Sequence, residues 1–322
     1  MSAQNVSIAA MFSWVNDSLK LFKKNFSSLL IASFITLLLA VLMMAPLFVF
    51  MFSTLMKGNP NGAMPMNADM TPFFIIYAAT IAVSTLLFPP ILVGWFRMCQ
   101  NMDRNIAVSG LDILKPYKDT RVWLRSMVYA LLALMIYLAI IGLFVLAFSG
   151  VIGDIIQLSQ AQQAAIAAGT NPPVPNFSPA AFIGLFFVFF VFILIMLFLQ
   201  FVYMVGFTEI ALRETTSTLD ALKLAFTGVL KNAHKLLVFL FAVYMIASIC
   251  MMMIFLLLAV VVGLLALVYQ PLGFLVGGIF YLGFLLCMYP PMFAGHYFMW
   301  KSMLNGDNVP AIPDIGHASL PV

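Results

Sequence analysis

Six stretches with almost no charge recur along this chain, at roughly residues 28–54, 72–96, 127–149, 180–207, 236–267 and 272–300. At ~1.5 Å per residue, about 20 apolar residues cross the hydrocarbon core of a bilayer. Each stretch is therefore expected to be a transmembrane helix. The fifth, roughly 32 residues long, must tilt, break or project beyond the bilayer.

Shorter amphipathic segments lead into these spans. Across 9–26, Met11, Val15, Leu19, Phe22 and Phe26 recur at spacings of three and four, with Asp17, Lys20, Lys23 and Lys24 on the other faces. That pattern predicts a helix lying in the headgroup layer with its lysines toward anionic lipid. Residues 217–233 repeat it with Leu219, Leu222, Phe226 and Val229. In the middle copy Pro116 has no backbone N–H to donate, so it starts or kinks a helix there. Trp123 stands at the interface as an anchor.

These segments share a text. DSLKLF from Asp17, DILKPY from Asp112 and DALKLA from Asp220 have Asp, Leu and Lys at the first, third and fourth positions. FPPILVGWF from Phe88 and YPPMFAGHY from Tyr289 share two prolines and a later glycine, Gly94 or Gly295. The middle copy keeps only Gly206 in QFVYMVGFT. The expected fold is all-α: one integral membrane domain over 1–322, with six transmembrane helices in three pseudo-repeats. Each repeat (9–98, 106–210, 216–303) is an amphipathic elbow helix plus a transmembrane hairpin, and a tail follows at 304–322. The connections between hairpin helices differ. Residues 57–71 are short and rich in Asn, Gly, Pro and Met. Residues 154–168 suit a polar helix, 171–175 an extended Pro-rich segment, and the third hairpin closes through Gln270 to Gly273. Gly273 and Gly277 stand in GxxxG spacing, which favours close helix packing.

Composition agrees with a membrane chain. The sequence is 64% hydrophobic and 8% charged, whereas soluble domains carry about 25% charged residues. The first span begins too late and runs too long for a cleaved signal peptide, so it reads as a retained anchor. All but Lys57 of the 15 Lys and Arg fall on one side of the expected topology. The positive-inside rule then puts both termini in the cytoplasm. The basic balance follows from topology and does not call for nucleic acid. Cys99, Cys250 and Cys287 are too few and too scattered for a disulfide framework.

Candidate chemistry is sparse. Pro89, Pro90, Pro290 and Pro291 each remove a helix hydrogen bond inside a span, which makes either a packing kink or the wall of a cavity. Three residues after the shared glycines stand Arg97 and Glu209, expected to pair at the mouth of the bundle. Gln200 reads as an interhelical hydrogen bond or a substrate contact. No acidic or basic residue lies near a span centre, which counts against a proton- or sodium-driven transporter using a buried carboxylate. Met56, Met64, Met66 and Met70 offer thioethers that suit Cu(I). The segment holding Asp103, Asp112 and Asp119 is either a solvated linker or a grip on a phosphate. HExxH, P-loop and nucleophile-elbow signatures are missing, so neither an enzyme nor a cofactor is expected.

The segment LKLFKKNFSSLL and its later counterpart LKLAFTGVLKNAHKLL resemble the uncharacterised YciC-like, domain-of-unknown-function family of bacterial inner-membrane proteins. The resemblance implies a polytopic inner-membrane protein and brings no substrate or catalytic residue. Mitochondrial carriers share a three-hairpin plan, but their P-x-[DE]-x-x-[KR] signature is missing at the odd-numbered spans. Two functions are expected: transport or lipid handling along a path between repeats, or envelope assembly and protection through a membrane or periplasmic protein. Membrane lipids are partners in either case.

Overall fold

The computed structural model describes residues 3–57, 71–169 and 179–304. In chain order the helices are α1 (Ile8–Lys24), α2 (Phe26–Lys57), α3 (Thr71–Leu87), α4 (Pro89–Asp103), a 3-10 helix (Gly110–Lys118), α5 (Thr120–Ala147), α6 (Ser149–Ala167), α7 (Pro179–Leu212), α8 (Thr218–Val268) and α9 (Gln270–Met303). No strand occurs among the described residues. Six stretches are long and apolar enough to cross a membrane: Phe26–Ser53, Thr71–Asp103, Thr120–Ala147, Phe186–Leu212, Thr218–Leu265 and Pro271–Met303. They coincide with the six uncharged runs, as a multi-pass membrane protein requires. The chain forms two compact units, one of Met1–Tyr129 with Met204–Val322 and one of Ala130–Tyr203.

The core of the first unit is concentrated at the helix ends that carry the charges. Trp95, Phe96, Ile113, Tyr129, Phe207, Met11, Trp300 and Met303 are all fully buried there. Trp95 stacks on Phe293 with ring centroids 4.8 Å apart, and its indole N–H donates to Thr36 Oγ1 at 3.0 Å. Phe207 meets Tyr129 edge-on at 5.7 Å. By contrast, none of the most apolar window of α8 is buried, and only 6% of that of α9. Such bare apolar helices would collapse in water. Against lipid tails no hydrophobic force drives them together.

The elbows take three forms. Ser7 caps α1 by accepting from the Ala10 N–H at 3.2 Å, and Asn25 separates α1 from α2. Helix α1 packs mainly against α9. Its buried face is Met11, Trp14, Ser18 and Leu21, not the single stripe read from the sequence. Of that stripe only Met11 is buried, while Val15, Leu19 and Phe26 are exposed together with Ile8 and Phe12. The helix is apolar on two sides: one packs against α9 and the other is exposed. In the middle copy Pro116 sits buried inside the 3-10 helix, which opens with a capping box between Ser109 and Asp112. In the third copy the elbow is not a separate helix. Helix α8 runs on for 51 residues from its Ser217 cap. That is about 77 Å, well beyond the ~30 Å hydrocarbon core. Between Lys231 and Leu236 the chain has neither Gly nor Pro to stop it.

In the second unit α5 and α7 meet through Phe144 and Phe192, with ring centroids 4.1 Å apart. Helix α6 covers the polar, Ala/Gln-rich stretch expected to be helical. The Pro-rich segment at 171–175 lies outside the described residues.

The 3-10 helix is held against α4 by contact between backbones. A Cβ added at Gly94 would lie 2.2 Å from the Ile113 carbonyl oxygen. A main-chain atom cannot step aside, so Gly94→Ala should cost about 2 kcal/mol, read as a lower unfolding temperature in detergent. At Gly295 nothing among the described residues lies within 4 Å. Gly295→Ala should leave that temperature unchanged or slightly raised.

Candidate functional site

The two proline pairs behave differently. Pro89 and Pro90 separate α3 from α4, with Phe88 as the hinge residue. The two prolines leave the Thr85 and Leu86 carbonyls without their helical donors. Leu87 loses its donor too, because the Ile91 N–H turns to the Phe88 carbonyl at 3.0 Å. The middle elbow supplies replacements. Trp123 Nε1 donates to the Leu86 carbonyl at 3.1 Å, and the Tyr117 hydroxyl donates to that of Leu87. Burial pushes the Tyr117 hydroxyl up to about 12, so it stays a donor at neutral pH. Pro290 and Pro291 instead lie inside an unbroken α9.

Beside the break is an apolar cavity of about 680 Å3, with Leu42, Met43, Ile76, Val83 and Leu87 in its wall. Its two wall hydroxyls, on Thr80 and Tyr117, are spent on the Ile76 and Leu87 carbonyls.

A second knot forms where α7 ends. Glu209 is fully buried. Its Oε1 accepts from Arg213 Nη1 and from the Thr216 hydroxyl, each at 3.1 Å, and its Oε2 from Trp300 Nε1 at 2.8 Å. The Arg213 guanidinium lies 5.6 Å from the Trp300 ring centroid and donates to the Leu304 carbonyl at 3.2 Å. The expected Arg97–Glu209 pair is not formed. Arg213 stands one turn from Glu209 on the same helical face and takes its charge. Arg97 instead donates to the Ala211 carbonyl at 3.1 Å and lies 3.5 Å from Glu214. Arg125 reaches the Arg213 and Thr216 carbonyls. Guanidiniums thus occupy the open carbonyls of the α7 C-terminus, where the helix dipole also favours cations.

The remaining candidates are dispersed. Gly206 makes room for the Tyr129 hydroxyl, which would lie 2.0 Å from a Cβ there. Gln200, in the second unit, accepts from the Tyr137 hydroxyl at 3.2 Å. Met64, Met66 and Met70 lie outside the described residues, as does the side chain of Met56.

A site that sequence reading did not assemble lies between α1, the end of α4 and the end of α9. It is a pocket of about 480 Å3 whose polar wall includes Lys20, Lys24, Lys301, Asp17, Asp103 and Asn105. Lys301 Nζ lies 2.9 Å from Asp103 Oδ2, which also accepts from the Tyr297 hydroxyl at 2.8 Å. Lys20 lies 3.3 Å from Asp17, and Lys24 donates to the Asn105 side chain. Asn105 adopts φ 60°, a left-handed conformation that asparagine tolerates, and ends α4. Asp17 and Lys20 were legible in the shared DSLKLF string. Lys301 comes from the far end of the chain, and no local pattern announces it.

No protein-family model, no curated protein and no solved structure matches this chain. The chemistry of these sites therefore stands on their geometry.

Tyr117→Phe and Trp123→Phe should each lower stability by about 1 kcal/mol, measured by thermal unfolding in detergent. The tyrosine's share should be complete below pH 10 and lost as pH rises toward about 12, because only the protonated hydroxyl donates. At the α7 knot, Glu209→Ala leaves Arg213 buried without its carboxylate and should cost about 3–5 kcal/mol. Joint replacement of Glu209 and Arg213 by leucine should recover only part of that loss, because the Trp300 indole N–H and the Leu304 carbonyl then lose their partners. Exchanging the charges of Arg97 and Glu209 should do no better than either single reversal in the same unfolding measurement.

Proposed function

We propose that this protein handles phospholipid in a bacterial inner membrane, with the headgroup phosphate received in the pocket between α1, α4 and α9. One observation carries the reading. Lysines from α1 and α9 line a pocket of about 480 Å3, and the same α1 exposes an apolar stripe of Ile8, Phe12, Val15 and Leu19 that Phe26 continues at the start of α2. A phosphodiester matches the ammonium groups, and the stripe suits the acyl boundary just below the headgroups. Asp17 and Asp103 leave the pocket of mixed charge, which also suits a headgroup bearing an ammonium.

In this reading both termini are cytoplasmic, since all the Lys and Arg except Lys57 cluster at one end of the expected topology. The three pseudo-repeats are the plan that the shared strings suggest, diverged in their elbows. The YciC-like resemblance fits the same plan, since LKLFKKNFSSLL falls where α1 passes into α2. The protein acts by binding and moving lipid, not by bond chemistry. The second reading is envelope assembly or protection through a membrane or periplasmic protein partner. Copper handling by the methionine segment rests on sequence alone.

The test is native mass spectrometry of the protein released from nanodiscs containing an anionic and a zwitterionic phospholipid. Retained lipid is expected, with severalfold less in a Lys20→Gln, Lys24→Gln, Lys301→Gln triple variant. Glycerol phosphate in solution should compete weakly, because it lacks the acyl chains. A bare chain, or equal retention by the triple variant, would overturn the lipid reading. A chain that carries only another membrane protein would establish the second.

A further inference from the structure

Residues 3–6, which precede α1 outside any helix, lie along α8 at Gly228–Lys235 and against the end of α9, and the contacts that hold them read main-chain atoms. Asn232 is fully buried. Its Oδ1 accepts from the Val6 N–H at 2.8 Å, and its Nδ2 donates to the Gln4 carbonyl at 2.9 Å. One amide thus takes the two inward-facing groups of an extended segment, as a neighbouring strand would. The Gln4 N–H donates to the Met303 carbonyl at 2.8 Å. Lys231 Nζ donates to the Ala3 carbonyl at 2.8 Å, and Lys235 Nζ to that of Val6 at 2.9 Å. Only Ala3 and Val6 bury their side chains, while Gln4 and Asn5 face outward. Ala3 packs over Gly228, where an added Cβ would meet it at an ordinary contact distance of 3.8 Å.

This arrangement has a consequence for partners. Asn232 Nδ2 also donates to the Gly228 carbonyl at 2.9 Å, so its Oδ1 and one Nδ2 hydrogen are the groups that the segment's main chain satisfies. Which main chain it holds is set by little: a small residue, two outward residues and a β-branched one. Among the described residues neither Lys231 nor Lys235 has a carboxylate partner, and Lys235 also takes the Asn5 side-chain oxygen. An aspartate at the Asn5 position would supply the missing charge.

We infer that Asn232, Lys231, Lys235 and the Met303 carbonyl form an extended-peptide site, filled in cis by residues 3–6 and open in trans to an acidic segment of a partner protein. The partner's segment reads small, any, acidic, then valine or isoleucine. Displacement frees the strap that ties the start of α1 to α8 and α9. This inference is independent of the lipid pocket and would survive its failure.

The experiment uses the protein in nanodiscs and a variant lacking residues 2–6. A labelled, end-blocked peptide of residues 3–7 is titrated by fluorescence anisotropy, together with its Asn5→Asp version. Binding to the shortened protein is expected to be at least tenfold tighter than to the full chain. The aspartate peptide should bind at least threefold tighter than the native one at low salt, with the advantage lost in 1 M salt. Asn232→Ala in the shortened protein should weaken binding at least tenfold. Equal binding to both forms, or no effect of Asn232→Ala, would overturn the inference. Should the shortened protein not fold, hydrogen exchange on the full chain decides. Excess aspartate peptide should speed exchange of the Gln4 and Val6 amides at least tenfold while α8 stays protected. Unchanged exchange at those two amides refutes the site.

Discussion

A main-chain carbonyl that loses its helical donor must find another, and near a bilayer water cannot be relied on to supply one. Much of the polar architecture of this protein answers that constraint. Trp123 and Tyr117 take the carbonyls freed at the Pro89 break. Arg97, Arg125 and Arg213 take carbonyls around the end of α7 and at Leu304. Lys231, Lys235 and Asn232 take those of residues 3–6. Ser28 takes that of Val108 at 2.7 Å, which ties the approach to the 3-10 helix onto α2. Many side chains that look like an ion-pair inventory in the sequence are therefore capping groups. This is why the expected Arg97–Glu209 pair did not form: Arg97 is a cap for α7 first and a partner of Glu214 second.

The same constraint explains where the tight packing lies. Apolar helices gain little from meeting each other in lipid, so the spans of the first unit are nearly bare while their charged ends interlock. At those ends aromatic residues do two things at once. Trp95 and Trp300 bury their rings and use their indole N–H groups on buried acceptors, while Trp123 donates to the Leu86 carbonyl freed at the proline break. Glycine serves the close approaches. Gly94 admits the backbone at Ile113 and Gly206 admits the Tyr129 hydroxyl, but Gly295, the third of the set, has no close neighbour among the described residues. Positions aligned by the shared strings have taken up different physical work.

Function follows from this division. The bare spans offer the bilayer a greasy surface, and the interlocked ends present the groups that can recognise something. Two such places stand out on different helices. The lysine-lined pocket uses α1, α4 and α9 and offers ammonium groups beside carboxylates. The Asn232 clamp uses α8 and α9 and offers a template for an extended chain. Helix α9 contributes to both, through Lys301 and through the Met303 carbonyl, so lipid and peptide would act on neighbouring turns of one helix.

The sequence by itself determined the six spans, because an uncharged run of that length has no other stable environment. It determined the amphipathic lead-ins, because helical period is a local property; it marked both proline pairs alike, and only the tertiary structure separated the break at Pro89 from the unbroken helix at Pro290. The sequence also marked Gln200 as an interhelical hydrogen bond or a substrate contact, and the structure shows it bonded to Tyr137. Only the tertiary structure decided which face of α1 is buried, since two apolar stripes on one helix look alike until a neighbour is chosen. It alone showed that α8 runs through its elbow, that Glu209 turns to Arg213 and Trp300, and that Lys301 joins Lys20. Those outcomes depend on which open carbonyls and charges meet across distant parts of the chain, and hydrophobic periodicity carries no record of that.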